Sequence, residues 1–417
     1  MRAQPWRGIA ALLLAIGCAG TSPDATDSDT EVWPQDDPFA DLDALLDEYM
    51  QTDRIHGFAL RIHDADGDVA YERVDGRCVH SSCPEGSPPF SMDLRTGTAS
   101  SSKWVTSTTI LAELDRQVKA GMWPSVNAAL DHEVVDDLGC DEVRGPLSEI
   151  TVRQLLAFTS GLVADHPCVN QTGRLHACAC DILDTSQAAF TETISAQTRS
   201  AAHPPGQTFK YGSTHQAVAG AWAEQITGTS FDALYRAHIA SPLAIQAEFR
   251  RPTNLSGSLQ ATPAEYADYV RALQLDSQAA QAGAPTQLLS RDALLQQRRN
   301  QIPAEAAVLS STERGLFDYG LNTWRWCTES VTTEQATGPA SDLPGFADPS
   351  CAAVFQLGHG GKGGYLPFMD AEGRYSAVFV TREDSPGAGS EYTVDESTIA
   401  MRIRMLTHLA MVPTDRG

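Results

Sequence analysis

The sequence predicts a mixed α/β (α+β) fold, because strand patterns lie near both ends of the chain and helical patterns fill the part between them. Short runs rich in β-branched and aromatic residues occur at 58–62, 69–74, 354–357 and 375–380. In the middle of the chain apolar residues recur with a helical period, for example at 214–226 and 263–275. This order indicates a sheet assembled from distant segments and an inserted helical lobe.

The other elements follow in chain order. Apolar residues within 40–52 share one helix face, which predicts an amphipathic helix. The first two strands form a hairpin around the turn-rich segment 64–68. A long apolar-periodic run that begins near Ser100 predicts a second helix, and Thr151 with Gln154 has the pattern of a capping box. A closing helix is expected at 394–411.

The beginning of the chain has the pattern of a bacterial lipoprotein signal. Arginines precede an apolar run too short to cross a bilayer, and this run ends at Gly17-Cys18. We predict a signal peptide over 1–17, lipid attachment at Cys18, a flexible acidic linker over 18–39 and a folded domain over 40–417. Cleavage by ordinary signal peptidase is the alternative, because Ala15 stands where leucine is usual.

These features predict export to the bacterial cell envelope, as an outer-membrane lipoprotein that is periplasmic or surface-exposed and held to the membrane by its anchor. The formal net charge of −23 favours solubility. Because phosphate binding needs a basic surface, this charge argues against nucleic acid as a partner. Much of the acid lies in the linker, so it says little about the substrate.

The cysteines predict disulfides, because an even number remains once Cys18 is set aside in an exported chain. Cys78 with Cys83 closes a small loop, and Cys327 with Cys351 fastens the connection to a later strand. The other four cysteines are not paired from sequence. Cys168, His176, Cys178 and Cys180 offer zinc ligands as an alternative, but the spacing is irregular and we predict no metal.

A candidate nucleophile is Ser100, which stands three residues before Lys103 at the start of the predicted second helix. At this spacing the hydroxyl and the amine share one helix face and are close enough to exchange a proton. The first helical turn stabilises an oxyanion, and partial burial lowers the proton affinity of the amine. Taken alone, the pattern is also that of an ordinary helix start with a solvated lysine.

Two further motifs follow in the chain, Tyr211-Gly212-Ser213 and Gly358-His359-Gly360-Gly361-Lys362. With Ser100-Ser101-Ser102-Lys103, they resemble the three ordered elements of the serine β-lactamase and penicillin-binding protein superfamily. The segment 151–162 resembles the class C enzymes and their esterase and D-alanyl-D-alanine carboxypeptidase relatives. The resemblance covers roughly residues 45 to 410. It implies the β-lactamase/transpeptidase-like fold, an antiparallel sheet flanked by helices with an all-α subdomain, and no cofactor.

The resemblance also implies roles for individual residues. Ser100 is the acylated nucleophile, Lys103 its proton partner and Tyr211 the general base. The substrate-binding and oxyanion positions are Ser213, His359, Gly361 and Lys362, with the backbone amides of Ser100 and Lys362 as the oxyanion donors.

Two of these positions have alternatives. Ser213 bonds Lys103 or the substrate, or caps the next helix. His359 stands where lysine is usual and is expected to titrate near neutrality, unless Lys362-Gly363-Gly364 is the true third motif. Lys210, beside Tyr211, is expected to be a solvated surface charge.

The predicted function is an exported serine hydrolase that cleaves a carboxylic ester or amide through an acyl-enzyme on Ser100. An esterase is favoured because His359 replaces lysine, which suits a small-molecule ester better than a peptidoglycan-type peptide. The alternatives are a D-alanyl-D-alanine carboxypeptidase, a β-lactamase, or a non-hydrolytic penicillin-binding sensor or pseudoenzyme.

Overall fold

The structure is a computed structural model that describes residues 37–79, 83–140, 143–194, 200–310, 318–327, 331–338, 354–381 and 394–412. The strands, in chain order, are β1 Gly57–His63, β2 Val69–Gly76, β3 Thr96–Gly97, β4 Thr208–Lys210, β5 Glu248–Phe249, β6 Leu259–Ala261, β7 Ala307–Ser310, β8 Trp324–Cys327, β9 Val354–Gly358, β10 Tyr365–Asp370 and β11 Ser376–Val380.

The helices, in chain order, are α1 Ala40–Gln51, α2 Ser102–Lys119, α3 Val126–Leu130, α4 Val135–Leu138, α5 Val152–Leu156, α6 Leu175–Ala188, α7 Thr214–Thr227, α8 Phe231–Tyr235, α9 Ser241–Leu243, α10 Pro263–Ala282, α11 Arg291–Arg298, α12 Thr333–Thr337 and α13 Val394–Met411. The expected first, second and closing helices correspond to α1, α2 and α13. The capping box of Thr151 and Gln154 opens α5 as predicted.

The main sheet has six strands in the order β2-β1-β11-β10-β9-β8, and each neighbouring pair is antiparallel. It joins strands from both ends of the chain, which confirms the α/β (α+β) class and the sheet built from distant segments. Most of the helices lie in the sequence between β2 and β8, as the inserted helical lobe requires.

Both faces of β1, β10 and β11 are buried, whereas the edge strand β2 is largely exposed, and the period-2 alternation divides the buried side chains between two cores. In β11, Val378 and Val380 belong to one core, whereas Phe379 belongs to the other. The first core continues into α10 and the helical lobe, and the second into α1 and α13. The sheet is therefore a rigid layer between helices, and the long α2 is buried along most of its length.

Two of the three described disulfides link segments of the helical lobe. Cys78 is bonded to Cys83, as predicted. The two pairings that the sequence left open are Cys140–Cys180 and Cys168–Cys178, and both end on α6.

Among the described residues, one group has metal-ligand geometry, formed by Cys140, His176 and Cys180. Two of these residues share a disulfide, so the structure does not support the zinc alternative. The predicted partner of Cys327, Cys351, lies outside the described residues, as does Cys18. Within the described part of the chain, no helix combines the length and hydropathy needed to span a bilayer.

Candidate active site

Ser100 lies in the short 3₁₀ turn Ala99–Ser101 that leads directly into α2. Ala99 has a φ of 47°, a left-handed conformation that costs a non-glycine residue about 1–3 kcal/mol. The surroundings hold this turn in place, because Ser102 Oγ donates to the carbonyl oxygen of Ala99 (2.7 Å) and Tyr266 Oη donates to that of Ser101 (2.7 Å). Ser100 therefore sits on a strained but fixed turn.

Lys103 lies one turn further along and points back at Ser100. Its Nζ donates to Ser100 Oγ at 3.0 Å and to the carbonyl oxygen of Ser256 at 3.0 Å. The side chain is only 3% exposed. Burial lowers the pKa of Lys103 from 10.5 to about 7, and the negative charge of Asp165 opposes this shift. About half of the amine is then neutral at pH 7 and able to accept the Ser100 proton.

Tyr211 follows β4 and forms one wall of the same site. Its ring stacks on Trp324 and His359, with centroids 5.7 and 5.9 Å apart, and packs against Phe158. Lys103 Nζ lies 4.7 Å from the centroid of the Tyr211 ring. The structure thus brings together the first two motifs.

Ser213 does not act as a side-chain cap, although α7 begins at the next residue. Within the described helix its hydroxyl makes no capping hydrogen bond. Instead, Ser213 Oγ donates to Asp165 Oδ1 at 3.0 Å. Asp165 is exposed, and its influence on the pKa of Lys103 places it within electrostatic range of the nucleophile's partner.

The third motif forms the connection between β9 and β10 and lies against the turn that carries Ser100. Gly361 and Tyr365 exchange two backbone hydrogen bonds, of 2.7 and 3.1 Å, which close the hairpin. A Cβ atom on Gly361 would lie 2.1 Å from the carbonyl oxygen of Thr98, so only glycine allows this approach. Lys362 follows directly after this contact, and its side chain is exposed.

His359 differs from the expectation of a group that titrates near neutrality. It is fully buried, and this burial, with the nearby Lys103, lowers its pKa well below 6.5. Its Nδ1 lies 3.1 Å from the carbonyl oxygen of Gly360, and its Nε2 lies 3.1 Å from Tyr319 Oη. Because a carbonyl only accepts, Nδ1 carries the proton and Tyr319 donates to Nε2. His359 is therefore a neutral imidazole in an aromatic wall at neutral pH.

Lys210 also differs from the expectation. It is completely buried, and its amine donates to the backbone carbonyl oxygens of Leu162 and Ala201. The expectation of a solvated surface charge is wrong, because the residues around β4 cover this side chain.

Sequence reasoning missed several residues of the site. Asp165, Ser256, Tyr319 and Trp324 come from loops and strand ends far apart in the chain. None of them stands in a recognisable motif. Asp165 could have been considered from the sequence, because it closely follows the segment 151–162, which resembles the class C enzymes.

The comparisons with known proteins concern the family and the fold. A family model described as Beta-lactamase matches residues 42–396. A candidate β-lactamase structure from Bacteroides dorei DSM 17855 is 20% identical with a TM-score of 0.64, covering 89% of this chain and 98% of that one. Simvastatin synthase (LovD) from Aspergillus terreus is 17% identical with a TM-score of 0.59, covering 91% and 100%.

A third similar structure is EstCE1, a hydrolase with promiscuous acyltransferase activity. It is 15% identical with a TM-score of 0.56, and the match covers 87% of this chain and 98% of that one. A search among curated protein sequences gave no match. At these identities the structures share the fold alone, whereas the family match spans most of the chain. Its extent, together with the three ordered motifs, shows that the chain belongs to the Beta-lactamase family.

Proposed function

We propose that this protein is an exported serine hydrolase that cleaves a carboxylic ester through an acyl-enzyme on Ser100. The observation that carries the proposal is the 3.0 Å contact between Ser100 Oγ and the Nζ of Lys103. Because the pKa of Lys103 is lowered to about 7, this amine is a base at neutral pH. A serine beside a base of matched pKa is the arrangement that nucleophilic catalysis requires.

The reaction divides into two displacements. Lys103 Nζ takes the proton of Ser100 as its oxygen attacks the ester carbonyl, and the amides of Ser100 and Lys362 stabilise the oxyanion. The proton then passes from Lys103 by way of Tyr211 to the leaving alcohol, which departs and leaves the acyl group on Ser100. A water then attacks the acyl carbon and gives one proton to the same two groups, which pass it to Ser100 Oγ as the carboxylic acid leaves.

His359 supports an ester over the two alternative substrates. Penicillins and peptides ending in D-alanine carry a carboxylate, which a lysine at this position would grip as a cation. A buried neutral His359 supplies no such charge at pH 7, since its pKa lies well below 6.5. Its ring adds instead to the aromatic wall beside Tyr211, which suits an uncharged acyl group.

Steady-state kinetics with three substrates tests the proposal: p-nitrophenyl butyrate, benzylpenicillin and an N-acyl peptide ending in D-alanyl-D-alanine. We expect the ester to have the highest kcat/KM, and Ser100→Ala to abolish its turnover. Ser148→Ala is a matched control, because Ser148 lies in a different 3₁₀ turn and its hydroxyl donates to the carbonyl oxygen of Gly145. Faster cleavage of the peptide or the penicillin would replace the esterase by a peptidase or a β-lactamase. A stable penicillin adduct without turnover would indicate a sensor.

We further propose that Cys18 carries a lipid that anchors the protein to the envelope. The support is the sequence pattern that ends at Gly17-Cys18. Growth with labelled palmitate should label the wild-type protein but not Cys18→Ala, and the wild type should fractionate with membranes. A soluble, unlabelled wild-type protein would contradict the anchor without affecting the proposed chemistry.

A further inference from the structure

The loop 251–258 supplies an acceptor to the amine of Lys103. Besides Ser100 Oγ, the Nζ atom donates to the carbonyl oxygen of Ser256 at 3.0 Å, and Ser256 is 3% exposed. A carbonyl oxygen only accepts, so it can hold an N–H of this amine whether Lys103 is charged or neutral. In the neutral amine this bond fixes the direction of the lone pair, which must point at the Ser100 hydroxyl for the proton transfer.

The inner side of this loop is bound to α2, the helix that begins beside the nucleophile turn. Thr106 Oγ1 donates to the carbonyl oxygen of Leu255 at 2.7 Å. The backbone amide of Leu259 donates to Ser102 Oγ at 3.1 Å. These bonds lie before and after Ser256 in the chain, so α2 holds the loop on both sides of the carbonyl group that Lys103 uses.

The outer side of the loop is bound to the segment 167–171 through Thr253. The Thr253 side chain is 1% exposed. Its hydroxyl donates to the carbonyl oxygen of Gln171 at 2.8 Å, with the carbonyl oxygen of Val169 3.1 Å away. A buried hydroxyl between two backbone carbonyl groups fixes the distance between the two segments, because losing it would leave these acceptors without their donor.

Asn254 makes a second connection to the same segment. Its Nδ2 donates to Asn170 Oδ1 at 3.0 Å, and its Oδ1 accepts from Ser256 Oγ at 3.0 Å. The segment is itself fastened, since the disulfide between Cys168 and Cys178 bonds it to α6. A continuous series of bonds therefore leads from α6 through this segment to the residue whose carbonyl oxygen holds the Lys103 amine.

We infer that Thr253 and Asn254 are positioning residues, which orient the amine of Lys103 through the carbonyl oxygen of Ser256. This inference deepens the proposed function and rests on it, since it concerns the acylation of Ser100. Misplacement of a reacting group by about 1 Å lowers the rate of a chemical step about tenfold to a hundredfold. Because Thr253 is buried, its loss should slow the proton transfer without weakening the binding of a substrate.

The test uses variants that differ in single hydrogen bonds. Thr253→Val removes the hydroxyl and keeps the branched shape, whereas Thr253→Ser keeps the hydroxyl. Asn170→Ala removes the acceptor of Asn254 at an exposed residue, where folding is not at risk. Thr109→Val is the matched control, because Thr109 is equally buried and its hydroxyl donates to the carbonyl oxygen of Val105 in its own helix.

The assay is inactivation by a fluorophosphonate at about pH 9, where Lys103 with a pKa of about 7 is neutral. Varying the reagent concentration separates the maximal rate of phosphonylation, kinact, from the concentration that gives half of it, KI. The Tm of each variant is measured as well, so that a loss of stability is told apart from a loss of orientation. Turnover of p-nitrophenyl butyrate by the wild type tests the proposed function in the same experiment.

We expect kinact to fall about tenfold or more in Thr253→Val and in Asn170→Ala, with KI unchanged. Thr253→Ser and Thr109→Val should stay within about threefold of the wild type, even where Thr109→Val lowers the Tm. If Thr253→Val does not fold, Asn170→Ala decides the question alone.

A kinact equal to that of the wild type in the folded variants would overturn the inference. So would a raised KI in place of a lower kinact, because the loop would then bind the substrate and not orient the amine. In both cases, ester turnover by the wild type would leave the proposed function standing. A wild-type protein that neither reacts with the fluorophosphonate nor turns over the ester would overturn the proposed function and this inference together.

Discussion

The rate of Ser100 acylation is expected to follow the deprotonation of Lys103, and therefore to rise with pH around neutrality. Only the neutral amine accepts the Ser100 proton. Burial lowers the pKa of Lys103 to about 7. With this value the neutral fraction is about 9% at pH 6, about 50% at pH 7 and about 91% at pH 8. An unperturbed lysine with a pKa of about 10.4 would be only about 0.04% neutral at pH 7.

The assay is the second-order rate constant for inactivation by a fluorophosphonate, measured from about pH 5.5 to about pH 9.5. This reaction measures the reactivity of the Ser100 hydroxyl without requiring release of a leaving alcohol. We expect a sigmoid with its midpoint near pH 7 and a plateau above about pH 8.5. Ser100→Ala defines the background. Lys103→Arg should lose the reaction across this range, because an arginine in a protein is not deprotonated.

Asp165→Asn supplies an independent check on the cause of the midpoint. The Asp165 carboxylate favours the charged form of Lys103, so its removal should move the midpoint to lower pH. A rate in the wild type that rises about tenfold per pH unit up to pH 9.5 without a plateau would refute the reasoning, since Lys103 would then have its ordinary pKa. An unchanged profile in Lys103→Arg would refute the role of Lys103 as the base.

Three further predictions concern stability and geometry. Because the folded pKa of Lys103 lies below its unfolded value, protonation costs the folded state up to about 5 kcal/mol below pH 7 and nothing above about pH 10.5. Lys103→Met should therefore raise the Tm relative to wild type more at pH 6 than at pH 10. An equal difference in Tm at both pH values would contradict this. Gly361→Ala should keep the far-UV circular dichroism of the wild type but lower kcat/KM for esters at least about a hundredfold, because its Cβ would meet the carbonyl oxygen of Thr98 at 2.1 Å. Near-normal activity would show that catalysis does not require the hairpin to lie so close to Thr98. Replacing Cys140 and Cys180 together by serine should lower the free energy of unfolding by about 4 kcal/mol in urea titrations, because the bond closes a loop with a sequence separation of 40 residues. An unchanged free energy of unfolding, with the wild type titrated under non-reducing conditions, would contradict a stabilising bond.

Four of the six strands of the main sheet and several of the helices could be predicted because their signals are local, whereas β8 and β10 were not predicted. Apolar spacing marked α1 and α2, and the capping box marked the start of α5. The three motifs were found in order for the same reason, since each is a few residues long. The structure then places Ser100, Lys103 and Tyr211 together, with Lys103 Nζ 3.0 Å from Ser100 Oγ and 4.7 Å from the Tyr211 ring centroid.

The environment of each residue could not be predicted in the same way, because it comes from distant segments. His359 is neutral because Tyr211, Tyr319 and Trp324 surround its ring, and no local pattern reveals that burial. Asp165 reaches the site through backbone contacts with the segment that carries Ser213.

The cysteine pairings have a similar explanation. Cys178 and Cys180 are two residues apart on α6, so their side chains point in different directions and bond to different partners. The spacing in the sequence is compatible with several pairings, and only the folded position of α6 selects one of them.

The most direct test of the central claim is the location of the covalent adduct. The wild-type protein and Ser100→Ala are treated with a fluorophosphonate, and the site of modification is found by intact and peptide mass spectrometry. We predict a single adduct on the peptide that contains Ser100, with matching loss of ester turnover, and no adduct in Ser100→Ala. An adduct on another residue, or equal modification of both proteins, would contradict Ser100 as the nucleophile.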